Sequence, residues 1–281
     1  MKDLTPKYWD NQYKLLDFGN GVKIENFNNV ITIRPETAAI NKLSKPLDFW
    51  QKKANYIFCE ETNKWDKTNN ENWTINYKSK QINIKLKLNT GNSKHIGIFP
   101  EQTANWEFIA SKLNETDKVL NLFAYTGGAS LVAASKAKSV THIDSSRSVI
   151  KTAIENAKLN KIDNIKFIND DALLFCSKEQ KRNNKYNFVI LDPPVYGFAG
   201  KNKKWKINKD LPLLMNKISQ IVSKDAFILL NIYTPQFNEK KTLKLLDETF
   251  GRRKKLSFGK LFLTDSFNKK LILNNYFLIQ I

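Results

Sequence analysis

Asp192-Pro193-Pro194-Val195-Tyr196-Gly197 carries more chemical content than any other stretch of this chain. Consecutive prolines forbid a helix and hold φ near about −65°, so the loop is rigid, extended and turns its backbone carbonyls outward. A carboxylate in front and an aromatic ring behind make a clamp for a small planar substrate. The competing reading of the same residues is a plain loop terminator.

Three other short segments have polar or glycine chemistry to match. In Phe123-Ala124-Tyr125-Thr126-Gly127-Gly128 the paired glycines permit a tight turn and let backbone approach a ligand with no Cβ in the way. The pattern is not GxGxxG, which weakens a dinucleotide-phosphate reading. Asp144 can accept both hydroxyls of a ribose, or Asp144, Ser145 or Ser146 can simply cap the helix that begins near Arg147. In Asn169-Asp170-Asp171-Ala172 an acid can accept from an adenine amine, and one of the two acids is expected to be a helix cap.

These segments need a scaffold that brings them together. Apolar runs at Val119–Phe123, Val140–Ile143, Ile165–Ile168, Phe188–Leu191 and Phe227–Ile232 alternate with helix-like segments over roughly 128–137, 147–160, 171–180, 210–222 and 239–249. That spacing predicts right-handed crossovers and a doubly wound, Rossmann-like α/β sheet. Ligands of such sheets sit beyond the carboxyl ends of the strands, and each of the four segments follows a predicted strand. Leu261–Leu263 and Tyr276–Ile281 fit an antiparallel pair at the sheet edge. Residues 1–90 form instead a smaller β-rich domain, and residues 91–281 carry the sheet. Its signals are a hairpin at Gly19-Asn20-Gly21, a strand at Val30–Ile33 stopped by Arg34-Pro35, and a short helix opening at Pro46. Trp73–Tyr77 and Ile82–Leu88 read as two further strands.

With 281 residues and 41% hydrophobic content the chain can bury a sizeable core. No apolar run approaches the roughly 20 residues that a bilayer requires, so no membrane partner is expected and the protein reads as cytoplasmic. Cys59 and Cys176 lack metal-type spacing, which argues against a disulfide framework or a metal site. His95 and His142 have no catalytic placement, and His142 reads as a satisfied core histidine. The formal charge is +19, with 41 lysines against five arginines. That bias follows from AT-rich coding, yet acids do not rise to balance it, so the field favours a polyanion such as nucleic acid.

Taken together, these motifs resemble the class I S-adenosylmethionine-dependent methyltransferases, in particular the bacterial large-subunit rRNA methyltransferases (RlmI/RlmK-like). The resemblance runs through Val119–Gly128, Thr141–Asp144, Glu155-Asn156-Ala157, Asp170-Asp171-Ala172 and Leu191–Pro194, and includes Gly97-Ile98-Phe99-Pro100-Glu101-Gln102 ahead of the sheet. It implies a seven-stranded methyltransferase sheet and S-adenosylmethionine as cofactor. The implied cofactor set is Phe99, Gln102, Phe123, Ala124, Tyr125, Thr126, Gly127, Gly128, Asp144 and Asp171. Within it the 125–128 loop wraps the methionine part, Asp144 takes the ribose and Asp171 lies at the adenine. Asp192, Pro193, Pro194 and Tyr196 then face the methyl group and the substrate.

Acceptor chemistry divides this family. Cytosine C5 methylation needs a thiolate, which the cytosine enzymes of the group carry after the fifth strand. Here that stretch reads Leu230-Asn231-Ile232-Tyr233-Thr234-Pro235, without cysteine. Enzymes that methylate exocyclic amines carry Asn or Asp before Pro-Pro and an aromatic close behind, which matches Asp192 to Tyr196. The family's usual lysine is replaced by Val195. The favoured reading is methylation of an exocyclic amine on an RNA base, with rRNA the expected partner. The alternatives are a small-molecule or protein methyltransferase, and an RNA-binding module that keeps the pocket without turnover. The run Lys201-Asn202-Lys203-Lys204-Trp205-Lys206 either holds RNA with Trp205 stacking, or is a solvated loop anchored by Trp205.

Overall fold

The computed structural model describes residues 1–66, 73–91, 93–198, 204–234, 237–251 and 255–281. The chain divides into two compact units. One comprises Leu4–Glu107 with Leu261–Leu273, and the other comprises Met1–Asp3, Phe108–Lys260 and Asn274–Ile281. The division lies about seventeen residues beyond the boundary near 90 that the sequence suggests.

In the β-rich unit, β1 (Tyr13–Gly19), β2 (Val22–Phe27), β3 (Val30–Pro35), α1 (Leu47–Gln51), β4 (Tyr56–Cys59) and β5 (Lys64–Trp65) follow in chain order, and the five strands form one sheet in sequential order. The β1–β2 turn is two residues long, with φ of 52° at Asn20 and 78° at Gly21. Both are left-handed, as a twisted hairpin requires. β3 continues through Arg34 and Pro35, where the sequence suggests a stop. Arg34 lies inside, its Nε donating to Glu25 Oε2 at 2.6 Å with both side chains at most 2% exposed. A buried charge pair of this kind keeps the strand extended, and Pro35 falls at its end. β6 (Trp73–Lys78) and β7 (Asn83–Leu88) form a separate hairpin that buries Ile82, Ile84, Leu86 and Leu88, the expected period-two face.

A 3-10 turn at Pro100–Gln102 leads into α2 (Thr103–Lys112). The sheet unit then runs β8 (Lys118–Leu122), α3 (Gly128–Ala134), β9 (Ser139–Asp144), α4 (Arg147–Leu159), β10 (Ile165–Asn169), α5 (Ala172–Lys181) and β11 (Tyr186–Leu191). A small hairpin, β12 (Tyr196–Phe198) with β13 (Lys204–Lys206), precedes α6 (Ile207–Ser219), β14 (Val222–Ile232), α7 (Glu239–Phe250), β15 (Lys255–Thr264) and β16 (Lys270–Gln280).

Seven strands among the described residues pair in the order β10-β9-β8-β11-β14-β16-β15. β8 to β11 and β14 are parallel, and β16 runs antiparallel to β14. The chain reverses its direction of travel across the sheet between β8 and β11, which creates a switch point. Leu120, Leu122, Val189, Leu191, Ile228 and Leu230 are fully buried on these central strands. They pack with Leu211, Leu214, Met215 and Ile218 of α6. Unbroken apolar runs are what a parallel sheet covered on both faces demands.

Two boundaries differ from the sequence reading for local reasons. α6 starts at Ile207 rather than 210, because the Asp210 carboxylate accepts the Lys206 backbone N–H at 2.8 Å and satisfies an open helix end. β14 starts at Val222 rather than Phe227, reaching back across an irregularity in register to pair with Tyr186.

Candidate active site

One row of the sheet organises the site. Leu122 pairs with both Ile143 and Leu191, and Ile143 pairs with Ile168. The next residue of each strand is Phe123, Asp144, Asn169 and Asp192. All four therefore leave the same edge of the sheet at the same level, around the switch point.

The turn after β8 is conformationally unusual. Phe123, Tyr125 and Gly127 adopt φ of 56°, 52° and 92°. Three left-handed residues within five cost energy that the surroundings must offset, and such strain collects at functional turns. The surroundings here are specific. Ala124 N–H donates to Ile143 O at 3.0 Å and Tyr125 N–H to Asp144 Oδ2 at 3.0 Å. The Asn156 side chain on α4 donates to Thr126 O at 2.9 Å. Beneath the turn, Asn121 Nδ2 donates to Ser130 Oγ at 2.9 Å, and Ser130 Oγ lies 2.9 Å from His142 Nδ1. With the hydroxyl oxygen accepting from Asn121, its own hydrogen is directed to Nδ1. Burial pushes the His142 pKa down to about 3, so the ring is neutral. It is a core histidine, as the sequence suggests, held through Nδ1.

Asp144 holds both neighbouring turns. Its Oδ1 accepts from Ser146 N–H at 2.9 Å while Oδ2 takes Tyr125 N–H. Burial raises its pKa, against the opposing effect of the Ser146, Tyr125 and Ser145 backbone N–H groups. Each carboxylate oxygen has two acceptor positions, so the backbone N–H groups do not exhaust the carboxylate's acceptor capacity. Asp171 is the N-cap of α5, accepting from Leu174 N–H at 2.8 Å, which is the capping role allowed for one of the two acids. Asp170 instead pairs with Lys178 at 2.6 Å.

Asp144 and Asp171 line one small cleft with Phe123, Ile143, Ala172 and Trp205. Trp205 was not among the residues the sequence pointed to for this pocket. It is 2% exposed, its ring centre lies 4.8 Å from that of Phe123, and its Nε1–H donates to Pro194 O at 2.7 Å. The buried anchor, not the exposed stacking ring, is therefore its state. Lys201, Asn202 and Lys203 of the basic run, like Arg252, Arg253, Lys254 and Pro235, lie outside the described residues.

In the loop after β11, Asp192 is half-buried and Tyr233, one residue past β14, donates to its Oδ2 at 3.4 Å. No motif of the sequence marks Tyr233 for this position. Pro193 is buried, Pro194 is exposed, and Tyr196 is 65% exposed. Cys176 lies in the core, and burial pushes its thiol up to about 12. Phe99 and Gln102 belong to the β-rich unit, where Gln102 Oε1 accepts from Asn105 Nδ2 at 2.8 Å and the Phe99 ring lies 5.1 Å from that of His95.

Strand order, edge and cleft define the class I S-adenosylmethionine-dependent methyltransferase fold. Within that class, the chain belongs to the family described as conserved hypothetical protein 95, whose model matches residues 102–259. A crystal structure of the SAM-dependent methyltransferase from Agrobacterium tumefaciens is 28% identical, with a TM-score of 0.89 over 100% of this chain and 93% of that one. The ribosomal RNA large subunit methyltransferase K/L of Pseudoalteromonas atlantica is 33% identical over 153 residues, which is 51% of this chain and 21% of that protein. The ribosomal RNA large subunit methyltransferase I of Aeromonas salmonicida is 31% identical over 116 residues, 40% of this chain and 29% of that protein. The chain thus spans less than a third of the length of these two curated relatives.

Proposed function

We propose that this chain is an S-adenosylmethionine-dependent methyltransferase acting on a base of ribosomal RNA, with an exocyclic amine as acceptor. The observation that carries the reading is the shared row of Asp144 and Asp192, flanking the switch point on one edge of the sheet. Bound S-adenosylmethionine supplies an electrophilic methyl group on a sulfonium. Asp144 offers its remaining acceptor capacity to the ribose hydroxyls. The turn 123–128 brings backbone against the donor's amino-acid part, and Asp171 and Trp205 wall the cleft.

The protein's main task is to align donor and acceptor and to exclude water. Asp192 and the Pro193 carbonyl accept the amine hydrogens, which turns the nitrogen lone pair out of conjugation and towards the methyl group, and the Asp192 carboxylate takes the proton that the nitrogen sheds on methylation. Tyr196 offers its exposed ring to the base. A base taken from a stack costs a few kcal/mol, and a positive surface offsets part of that by holding the flanking phosphates. Cytosine C5 chemistry is disfavoured because it needs a thiolate. Cys176 is held protonated in the core, and Cys59 is on β4 of the other unit. The names of the curated relatives favour ribosomal RNA.

Tritium transfer from labelled cofactor to rRNA of a strain lacking the gene, followed by mass spectrometry of the nucleosides, tests this reading. An N-methylated base is the expected product. Label at carbon 5 of cytosine contradicts the amine acceptor, and label in no RNA contradicts the RNA substrate.

A further inference from the structure

The segment from Ala39 to Pro46 has no regular secondary structure, yet it is fastened along its length. Ala39 O and Asn41 O accept from Gly21 N–H at 2.9 Å and Asn20 N–H at 2.7 Å, and Leu43 N–H donates to Asn20 Oδ1 at 3.1 Å. Ser44 and Lys45 donate their backbone N–H groups to Asp17 Oδ2 at 2.9 and 3.0 Å. Asp17 is fully buried and also accepts from Trp50 Nε1 at 3.0 Å and Lys269 Nζ at 2.9 Å. A Cβ at Gly19 would fall 2.4 Å from Leu43 N, so the segment lies directly on the β1–β2 turn.

A buried carboxylate that gathers five donors, the Phe18 N–H among them, fixes a surface loop into one shape, which removes the ordering cost of binding. The loop borders a cavity of about 410 Å³. Its walls combine apolar Val22, Pro46 and Leu47 with Lys42, Ser44 and Lys45. Lys42, Ser44 and Lys45 are exposed. Apolar walls beside two lysines and a hydroxyl match a nucleotide within a strand, which presents a ring, a sugar and phosphates on both sides. The +19 charge of the chain favours a polyanion over a single free nucleotide.

We propose that this cavity seats one nucleotide of the RNA substrate, with the adjoining phosphates at Lys42 and Lys45. The proposal rests on the RNA-substrate reading above. Its test is a fluorescence-anisotropy titration of the full chain with a labelled single-stranded RNA at several salt concentrations. Lys42→Ala/Lys45→Ala is compared with Lys78→Ala/Lys80→Ala, which removes the same charge from exposed positions elsewhere in the same unit. The cavity pair should weaken binding tenfold or more and make the salt slope shallower by about 1.4, two contacts at about 0.7 each. The control pair should change the affinity less than threefold, and neither pair should alter calorimetric binding of S-adenosylhomocysteine. Equal losses for the two pairs, or no loss for the cavity pair, overturn the proposal while leaving the substrate reading intact. A wild-type protein that binds no RNA sinks the substrate reading itself.

Discussion

The indole N–H of Trp205 donates to the carbonyl of Pro194 at 2.7 Å, and this one bond ties the β12–β13 hairpin to the loop that begins at Asp192. Trp205 also walls the cleft beside Asp144. A single side chain thus links the proposed cofactor cleft to the proposed acceptor clamp. Trp205→Phe keeps most of the packing and removes the donor. Stability should fall by about 1 kcal/mol, and methyl transfer by about 10- to 100-fold, because small displacements of aligned groups are costly. Single-turnover kinetics beside thermal denaturation separate the two effects.

Gly127 has φ of 92°, and a Cβ there would lie 3.3 Å from Ala153 Cβ on α4. Gly127→Ala should therefore destabilise the protein by about 1–2 kcal/mol from backbone strain alone. It should also raise the dissociation constant of S-adenosylhomocysteine, since the strained turn borders the cleft. Urea unfolding and calorimetry read the two consequences; a variant with unchanged midpoint and affinity contradicts the role given to the turn.

Asp192 separates amine chemistry from a purely structural loop. Asp192→Asn keeps one carbonyl acceptor, whereas Asp192→Ala keeps none. The alanine variant should lose about 10²-fold in kcat, as for removal of one preorganised polar group, and the asparagine variant clearly less. Cofactor affinity should stay within threefold in both. Equal losses in the two variants argue against hydrogen-bond acceptance from the substrate.

His142 is buried and His95 half-buried, and both pKa values are lowered, to about 3 and about 4, with desolvation the first cause for each. An unfolded chain protonates histidine near pH 6.5, so below that pH the unfolded state binds more protons than the folded one. Their contribution is present in full above about pH 6.5 and is lost as pH falls towards the folded values. Each histidine should cost roughly 1.4 kcal/mol per pH unit below 6.5. Melting temperatures from pH 8 to pH 5 should show the decline, and His142→Asn should flatten it.

Much of the sheet unit is legible from the chain because its strands are near-continuous apolar runs, each followed by a glycine, an acid or a proline pair. The roles of Asp144 and Asp171 are less so, since ribose binding and helix capping ask for the same residue types. Asp171 is seen to cap and to line the cleft at once. Trp205 is hidden by its neighbours: Lys204 and Lys206 read as solvated loop, whereas the exposed-buried-exposed alternation is the strand period itself. Tyr233 gives no local signal, because only the pairing of β11 with β14 brings it to Asp192. In the β-rich unit, β4 and β5 are too short for periodicity to register. Arg34 reads as a strand stop because its buried partner, Glu25, is nine residues away.

Isothermal titration of the purified protein with S-adenosylhomocysteine bears most directly on the whole account. Binding at one site per chain, weakened tenfold or more by Asp144→Ala while the melting temperature holds within a few degrees, is the result predicted. Heat-silent titration of a folded wild type, or undiminished affinity in the Asp144 variant, contradicts the cleft beside Asp144 as the cofactor site.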